Sequence, residues 1–149
     1  MKQSWIEWKD LPKKTASSNA LIFNEQGKIL VVKPSYKQTW NLPGGIIEEE
    51  ESPQDACKRE VLEELGIAIV PRDLAFVIYE SRSEKLHDNI RFVWKIEKVS
   101  PDQIANIKLQ ESELADYKFI DLFELNDYLD FRLAEPLRKI GNATLYIQI

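Results

Sequence analysis

The sequence predicts an α+β fold, organised as an α/β/α sandwich around a mixed β-sheet, and three observations carry that expectation. Apolar segments of strand length surround one early helix pattern. A second helical region lies near the end of the chain. Hairpin-like connections, rather than a regular βαβ array, join the strand candidates. With 149 residues, 44% hydrophobic and 30% charged, there is material for one ordinary core and not for two, so residues 1–149 are read as a single domain.

The elements follow in order. The stretch "SNALIFNEQGKILVVKPS" is apolar, broken from Asn24 to Gly27, and apolar again, the pattern of a β-hairpin with a polar turn. "TWNLPGG" reads as a strand end running into a Pro-Gly-Gly turn. Ser52, Pro53 and Asp55 then mark a helix start, with a serine N-cap, proline in the first turn and an acid at the third position. Gly66 is the natural C-cap, which sets the helix at Pro53–Leu65. Strands are expected at Ile67–Val70, Leu74–Ser81 and Ile90–Val99, then a polar linker over Pro101–Gln110 and a short strand at Tyr117–Ile120. Helical patterns follow near Leu122–Leu129 and Phe131–Ile140.

Charge and composition narrow the function classes. A net charge of −5 and a pI near 5.0, with no dense Lys/Arg run, argue against a general nucleic-acid binder, which needs a basic stripe to neutralise phosphates. A small-molecule partner is expected, and homodimer formation is left open. No apolar run approaches a membrane span, and "MKQSWIEWKDLPKK" does not resemble a signal peptide. Cys57, the one cysteine, has no partner for an internal disulfide, so a cytoplasmic location is the expectation.

The helix itself poses the functional question. Successive residues turn by about 100°, so with Glu60 at zero, Glu64 falls near +40° and Glu63 near −60°, all on one face. Val61, Leu65 and Leu62 fall near 100°, 140° and 200° and form a separate apolar face. A helix C-terminus carries partial negative charge, so three carboxylates there cost stability unless something positive compensates. Hard oxygen ligands in such a cluster suit Mg²⁺ or Mn²⁺, and Mg²⁺ is commonly shared with substrate phosphates. A solvated acidic face, paired in part with Lys58 and Arg59, is the alternative. The preceding glycines favour the metal reading, because they let backbone carbonyls approach an ion or phosphate.

Gly45, Glu51, Arg59, Glu60, Val61, Glu63, Glu64, Gly66 and Ile67 match, position for position, the signature box of the Nudix hydrolases: Gly, five residues, Glu, seven residues, Arg-Glu-aliphatic-x-Glu-Glu-x-Gly-aliphatic. "WNLPGG" resembles that family's entry to the box, and "FIDLFEL" is similar to its late aromatic strand and helix start. The resemblance implies a Nudix fold and MutT-like, metal-dependent hydrolysis of a diphosphate joined to another moiety. It implies that Glu60, Glu63 and Glu64 ligate Mg²⁺ or Mn²⁺, helped by the Gly45 carbonyl, while Glu51 and Arg59 form the ion pair that orients the loop–helix–loop. It further implies a general base just before the late strand, for which Glu113 is the nearest match and Glu111 the reserve; a pair of exposed loop acids is the other description of these two.

Other candidates point away from chemistry. His87 lies in a polar turn, Cys57 borders the apolar helix face, and Trp40 reads as core. Trp5, Trp8, Tyr36 and Tyr79 read as packing aromatics, and Lys33 and Lys37 as solvated lysines. For substrate choice, Arg82 and Ser83 stand where subfamilies acting on ADP-ribose carry a proline, and Glu84 and Lys85 where those acting on diadenosine polyphosphates carry a tyrosine. These departures shift the expectation towards a nucleoside triphosphate, with ADP-ribose, a nucleotide sugar or a dinucleoside polyphosphate as alternatives. A nucleotide-sensing domain without catalysis is the alternative of another class, disfavoured by the complete set of box carboxylates.

Overall fold

The computed structural model describes residue 7, residue 9 and residues 11–81, 87–141 and 145–148. The elements are β1 (Thr15–Leu21), β2 (Ile29–Pro34), β3 (Gly44–Ile46), α1 (Pro53–Leu65), β4 (Pro71–Glu80) and β5 (Asn89–Ile96), followed by α2 (Pro101–Ala105), β6 (Leu114–Ile120), α3 (Leu125–Tyr128), α4 (Phe131–Arg138) and β7 (Leu145–Gln148). Five strands form a mixed sheet in the order β3-β1-β5-β4-β7, and β2 pairs with β6 in a second, two-stranded sheet. β1 runs parallel to β5 and antiparallel to β3, while β4 runs antiparallel to β5 and parallel to β7.

Alternation along the strands builds two cores. Ala20 and Ile22 after β1's start, with Leu30 and Val32 of β2, pack with Cys57, Val61 and Leu65 of α1. Their neighbours Leu21, Ile29 and Val31 point the other way and pack with Leu125 of α3 and Leu133 and Leu137 of α4. Since successive strand side chains face opposite sides, strands that alternate between two cores must lie between two helical layers. The expected sandwich is therefore present.

Helix α1 occupies the expected span. Ser52 accepts the Asp55 N–H at 3.1 Å, and Gly66, at φ 68°, ends the helix by donating its N–H to the Leu62 carbonyl. Several boundaries differ from expectation. The polar turn at residues 24–27 forms, with Asn24 Oδ1 accepting the Gln26 and Lys28 N–H groups, but β1 and β2 do not continue as a hairpin. They part to different sheets, because each finds a longer partner in β5 or β6. Gly44 and Gly45 belong to β3 rather than to a turn, and pair with Asn19 and Ser18 of β1. Ile67–Val70 is not a strand: Ile67 and Ile69 are buried, which accounts for the alternation, yet no ladder pairs the backbone there. The linker at 101–110 holds the short helix α2, capped reciprocally by Ser100 and Gln103. β6 begins at Leu114, before the expected start, and residues 122–129 divide into a 3-10 turn and α3. β7 was not expected.

The apolar face of α1 also needs correction. Its buried residues are Ala56, Cys57, Val61, Glu64 and Leu65, whereas Leu62 is 54% exposed. The sheet covers a sector centred nearer to Cys57 than to Leu65, so the sector includes Glu64 and leaves Leu62 in solvent.

Candidate active site

Arg59 is the hub of the loop and helix. Its Nε and Nη2 donate to the two oxygens of Glu51 at 2.7 and 2.8 Å, a bidentate pair. Nη2 also donates to the Ile46 carbonyl at 3.1 Å, and Nη1 to Glu60 at 2.9 Å and Glu63 at 3.3 Å. Glu51 accepts the Glu48 N–H at 3.0 Å as well. Arg59 and then that N–H hold the Glu51 carboxyl down at about 2. One guanidinium thus ties β3, the glutamate loop and two carboxylates of α1 together.

Glu64 lies deepest. It is 7% exposed, and its Oε2 accepts the Gly44 N–H at 2.8 Å. Burial pushes its carboxyl up to about 8, against the pull of the Gly44 N–H and with added repulsion from Glu60, Glu113 and Glu63. Glu60 is also raised above the usual carboxylate range, first by burial and against the pull of Arg59. Its carboxylate fills the space beside Gly45: a Cβ there would come within 2.5 Å of it. Gly44, at φ 132°, is hemmed in further, since a Cβ would meet the Ser18 carbonyl oxygen at 2.1 Å.

Glu113 comes to this cluster across the chain. With Gly44, Asn41 and Tyr36 it lines a small pocket that Glu64 closes, and its charge bears on both Glu60 and Glu64. Glu111 is exposed and lines neither this pocket nor the larger cleft beside it. Glu63, its side chain 52% exposed, completes the acidic edge of α1.

The donor set is suited to a hard divalent cation, being carboxylate oxygens whose mutual repulsion such an ion would relieve. As the side chains lie, no three carboxylate, imidazole or thiol groups among the described residues converge closely enough to hold one ion. Arg59 holds Glu60 and Glu63, and Gly44 holds Glu64.

A larger cleft of about 450 Å³ shares Pro34 and Asn41 with the small pocket. Trp40, Lys37, Glu80, Arg91, Asp130 and Arg132 are among its walls, and its size is that of a small-molecule site. Its floor is a polar layer on the sheet. Arg91 pairs with Glu80 at 3.0 Å and donates from Nη1 to Asn41 Oδ1 at 3.1 Å. Asn89 donates to Ser17 and to Glu80, both at 2.9 Å. Sequence reasoning missed these residues. The available signal was parity: Ser17, Asn19, Glu80, Asn89 and Arg91 sit on the strand face that continues as Leu21, Ile78 and Val93 in the core.

The remaining candidates find ordinary places, with one exception. Cys57 is buried and its thiol is pushed up to about 12 by that burial. His87 is exposed. Tyr79 donates to Asp88, and Lys14 lies over its ring. Tyr36 is 73% exposed, unlike a packing aromatic, and reaches the small pocket. Trp40 packs edge-on against Tyr128 at 5.4 Å and also walls the cleft, so it is both core and pocket. Lys37 lines the cleft; Lys33 does not. Trp5, Trp8, Arg82, Ser83, Glu84 and Lys85 lie outside the described residues. No helix among the described residues is long and apolar enough to cross a membrane.

A family model, NUDIX domain, matches residues 13–142. The chain is 35% identical over 66 residues to the MutT-like protein of Streptomyces ambofaciens, covering 44% of this chain and 43% of that one. It is 32% identical over 118 residues to the probable DHNTP pyrophosphohydrolase of Lactococcus lactis subsp. cremoris (strain MG1363), covering 74% and 64%. The chain therefore spans less than two thirds of the length of either relative. Among solved structures, the MutT protein from Methanosarcina mazei Go1 superposes with a TM-score of 0.73 at 28% identity, over 86% of this chain and 93% of that one.

Proposed function

The chain belongs to the NUDIX family, and we propose that it hydrolyses the phosphoric anhydride of a nucleoside diphosphate derivative, best a (deoxy)nucleoside triphosphate, with Mg²⁺ or Mn²⁺ held by α1. The observation that carries this reading is the junction of the two cavities. Carboxylates Glu64 and Glu113 face the small pocket, and the larger cleft opens from it across Asn41. An extended substrate can lay its phosphates on the acidic edge and its organic part in the cleft.

Glu60, Glu63 and Glu64, with the Gly45 carbonyl, are the groups that would hold the ion. A divalent ion there supplies positive charge to the phosphate oxygens and lowers the pKa of the attacking water. Arg59 keeps Glu51 and the loop before α1 in place, so the carboxylates start from a fixed geometry. Glu113 accepts the proton as water forms its bond to phosphorus. The anhydride P–O bond breaks, and the departing phosphate oxygen carries the charge away. No covalent intermediate is required.

The substrate class is tested by incubating the protein with Mg²⁺ and a panel of nucleoside triphosphates, ADP-ribose, nucleotide sugars and dinucleoside polyphosphates. Separation of the products should show a nucleoside monophosphate and pyrophosphate from a triphosphate. Turnover confined to ADP-ribose or a sugar nucleotide would overturn the triphosphate assignment.

A further inference from the structure

Pro43 and Gly44 share one peptide group, and its two ends are held by different parts of the fold. The Pro43 carbonyl accepts the Ala20 N–H at 2.8 Å and Asn19 Nδ2 at 3.4 Å. The Gly44 N–H donates to Glu64 Oε2 at 2.8 Å. In a trans peptide the carbonyl and the N–H point in opposite directions, so whatever fixes this carbonyl on β1 also aims the N–H at α1.

Asn19 stands where an apolar side chain would suit the fold. It is 2% exposed, on a strand face that continues as Leu21 and lies opposite Val93 of β5, both fully buried. Its Nδ2 donates to the Leu42 carbonyl at 3.0 Å as well as to Pro43. Both partners are acceptors only, so the amide cannot turn over, and its Oδ1 is left without a hydrogen-bond partner among the described residues. A buried acceptor in that state costs stability. What Asn19 gains in exchange is its grip on the peptide. A Cβ added to Gly44 would come within 2.7 Å of Asn19 Cα and 3.0 Å of its Nδ2, so the amide lies in the space a side chain at residue 44 would need. From there it draws the carbonyls of Leu42 and Pro43 onto the sheet together.

We infer that Asn19 is a positioning residue for Glu64, acting through the Pro43–Gly44 peptide. Asn19 lines neither the cleft nor the small pocket, so its effect on the site passes through the backbone. It holds the carbonyl end, and the N–H end meets a carboxylate that is 7% exposed. Hydrogen bonds to the carbonyl also polarise the peptide and strengthen its N–H as a donor. This rests on the proposed function for the ion that Glu64 would hold, while the positioning itself belongs to the metal-free fold.

The test is a double-mutant cycle between Asn19→Val and Glu64→Ala in the whole chain, with two readouts. Alanine is used at residue 64 because a glutamine oxygen can still accept the Gly44 N–H. The first readout is affinity for Mn²⁺ alone, by isothermal titration. Asn19→Val should weaken it about tenfold, the lower end of what outer partners of a metal ligand contribute, and should add nothing in the Glu64→Ala background. The second is the Gly44 amide resonance in isotopically labelled, metal-free protein. Glu64→Ala should move it in the wild type and move it clearly less in Asn19→Val, whose N–H is no longer aimed at the carboxylate. A merely structural Asn19 would shift the thermal midpoint and leave both couplings at zero. If the valine variant does not fold, Asn19→Ser, smaller and still polar, is carried through the same cycle. Additive shifts of the Gly44 resonance would overturn the inference. So would Mn²⁺ binding that Asn19→Val leaves unchanged or weakens equally in both backgrounds. A wild type that binds no Mn²⁺ while Gly44 still reports the coupling would refute the proposed function alone.

Discussion

Gly44 donates its backbone N–H to the Oε2 of Glu64 at 2.8 Å, in a place where Glu64 is 7% exposed and two further carboxylates of α1 stand close by. The fold buries an acid that its surroundings resist ionising, with its carboxyl raised to about 8. In Glu64→Gln an amide oxygen can still accept the Gly44 N–H, while the charge is gone. In the metal-free protein at pH 7.5 this variant should be more stable than wild type, on the order of 1–3 kcal/mol, because the folded wild type holds Glu64 largely protonated at a pH where the unfolded chain ionises it. The sign follows from the shift. A folded-state value above the unfolded one means that Glu64's contribution is fully present below about pH 4.5 and is lost as the pH rises through about 8. The advantage of Gln should therefore grow over that window and vanish in acid. Turnover should fall by orders of magnitude. Thermal melts in chelator across pH, with activity assays in Mg²⁺, check both; a destabilised and fully active variant would contradict the role given to Glu64.

Arg59→Lys keeps the charge but cannot hold both Glu51 oxygens, the Ile46 carbonyl and Glu60 at once. The loop before α1 should shift while the helix, capped by Ser52 and Gly66, remains. Loss of placement on this scale costs about 100-fold in kcat. Circular dichroism should stay close to wild type. Wild-type turnover in Arg59→Lys would remove the proposed function of the hub.

Gly45→Ala tests the cradle of Glu60. The added Cβ would come within 2.5 Å of the Glu60 carboxylate, which is a movable side-chain end rather than backbone. Folding should survive, Glu60 should be displaced, and affinity for Mg²⁺ should drop. Gly44→Ala is the contrasting change, because its Cβ would strike the Ser18 backbone oxygen at 2.1 Å with φ at 132°. That variant should be strongly destabilised. Titrating each with Mg²⁺ while following the thermal midpoint separates the two outcomes.

Glu113→Gln and Glu111→Gln decide between two loop acids. Glu113 lines the pocket closed by Glu64, and Glu111 does not. Loss of a general base should reduce kcat by about 10²–10⁴ at neutral pH. Glu111→Gln should change it little. Equal activity of the two variants would return the proton-accepting role to a carboxylate of α1.

Much of this was legible in the residues. Ser52, Pro53 and Gly66 gave α1 its limits because caps are local hydrogen-bonding problems, and the resemblance to the Nudix box implied the ion pair of Glu51 and Arg59. Helical angles placed Glu60, Glu63 and Glu64 together. They could not tell which sector the sheet covers, so Glu64 was expected on an open face and Leu62 in the core. The parting of β1 and β2 was hidden for a related reason: a turn signal fixes the turn but not which strand each arm will find. Asn41, Glu80 and Arg91 were invisible singly, because strands far apart in the chain bring them together. Only the parity of Glu80 with Ile78 and of Arg91 with Val93 hinted that polar groups interrupt a core face.

The central claim is that the carboxylates crowded at the end of α1 serve a metal-dependent hydrolysis, and the most direct measurement is turnover of the preferred nucleotide in Mg²⁺, then in excess chelator, then with Mg²⁺ restored. The account predicts activity in the first condition, its loss in the second and recovery in the third. Full turnover in excess chelator would contradict it.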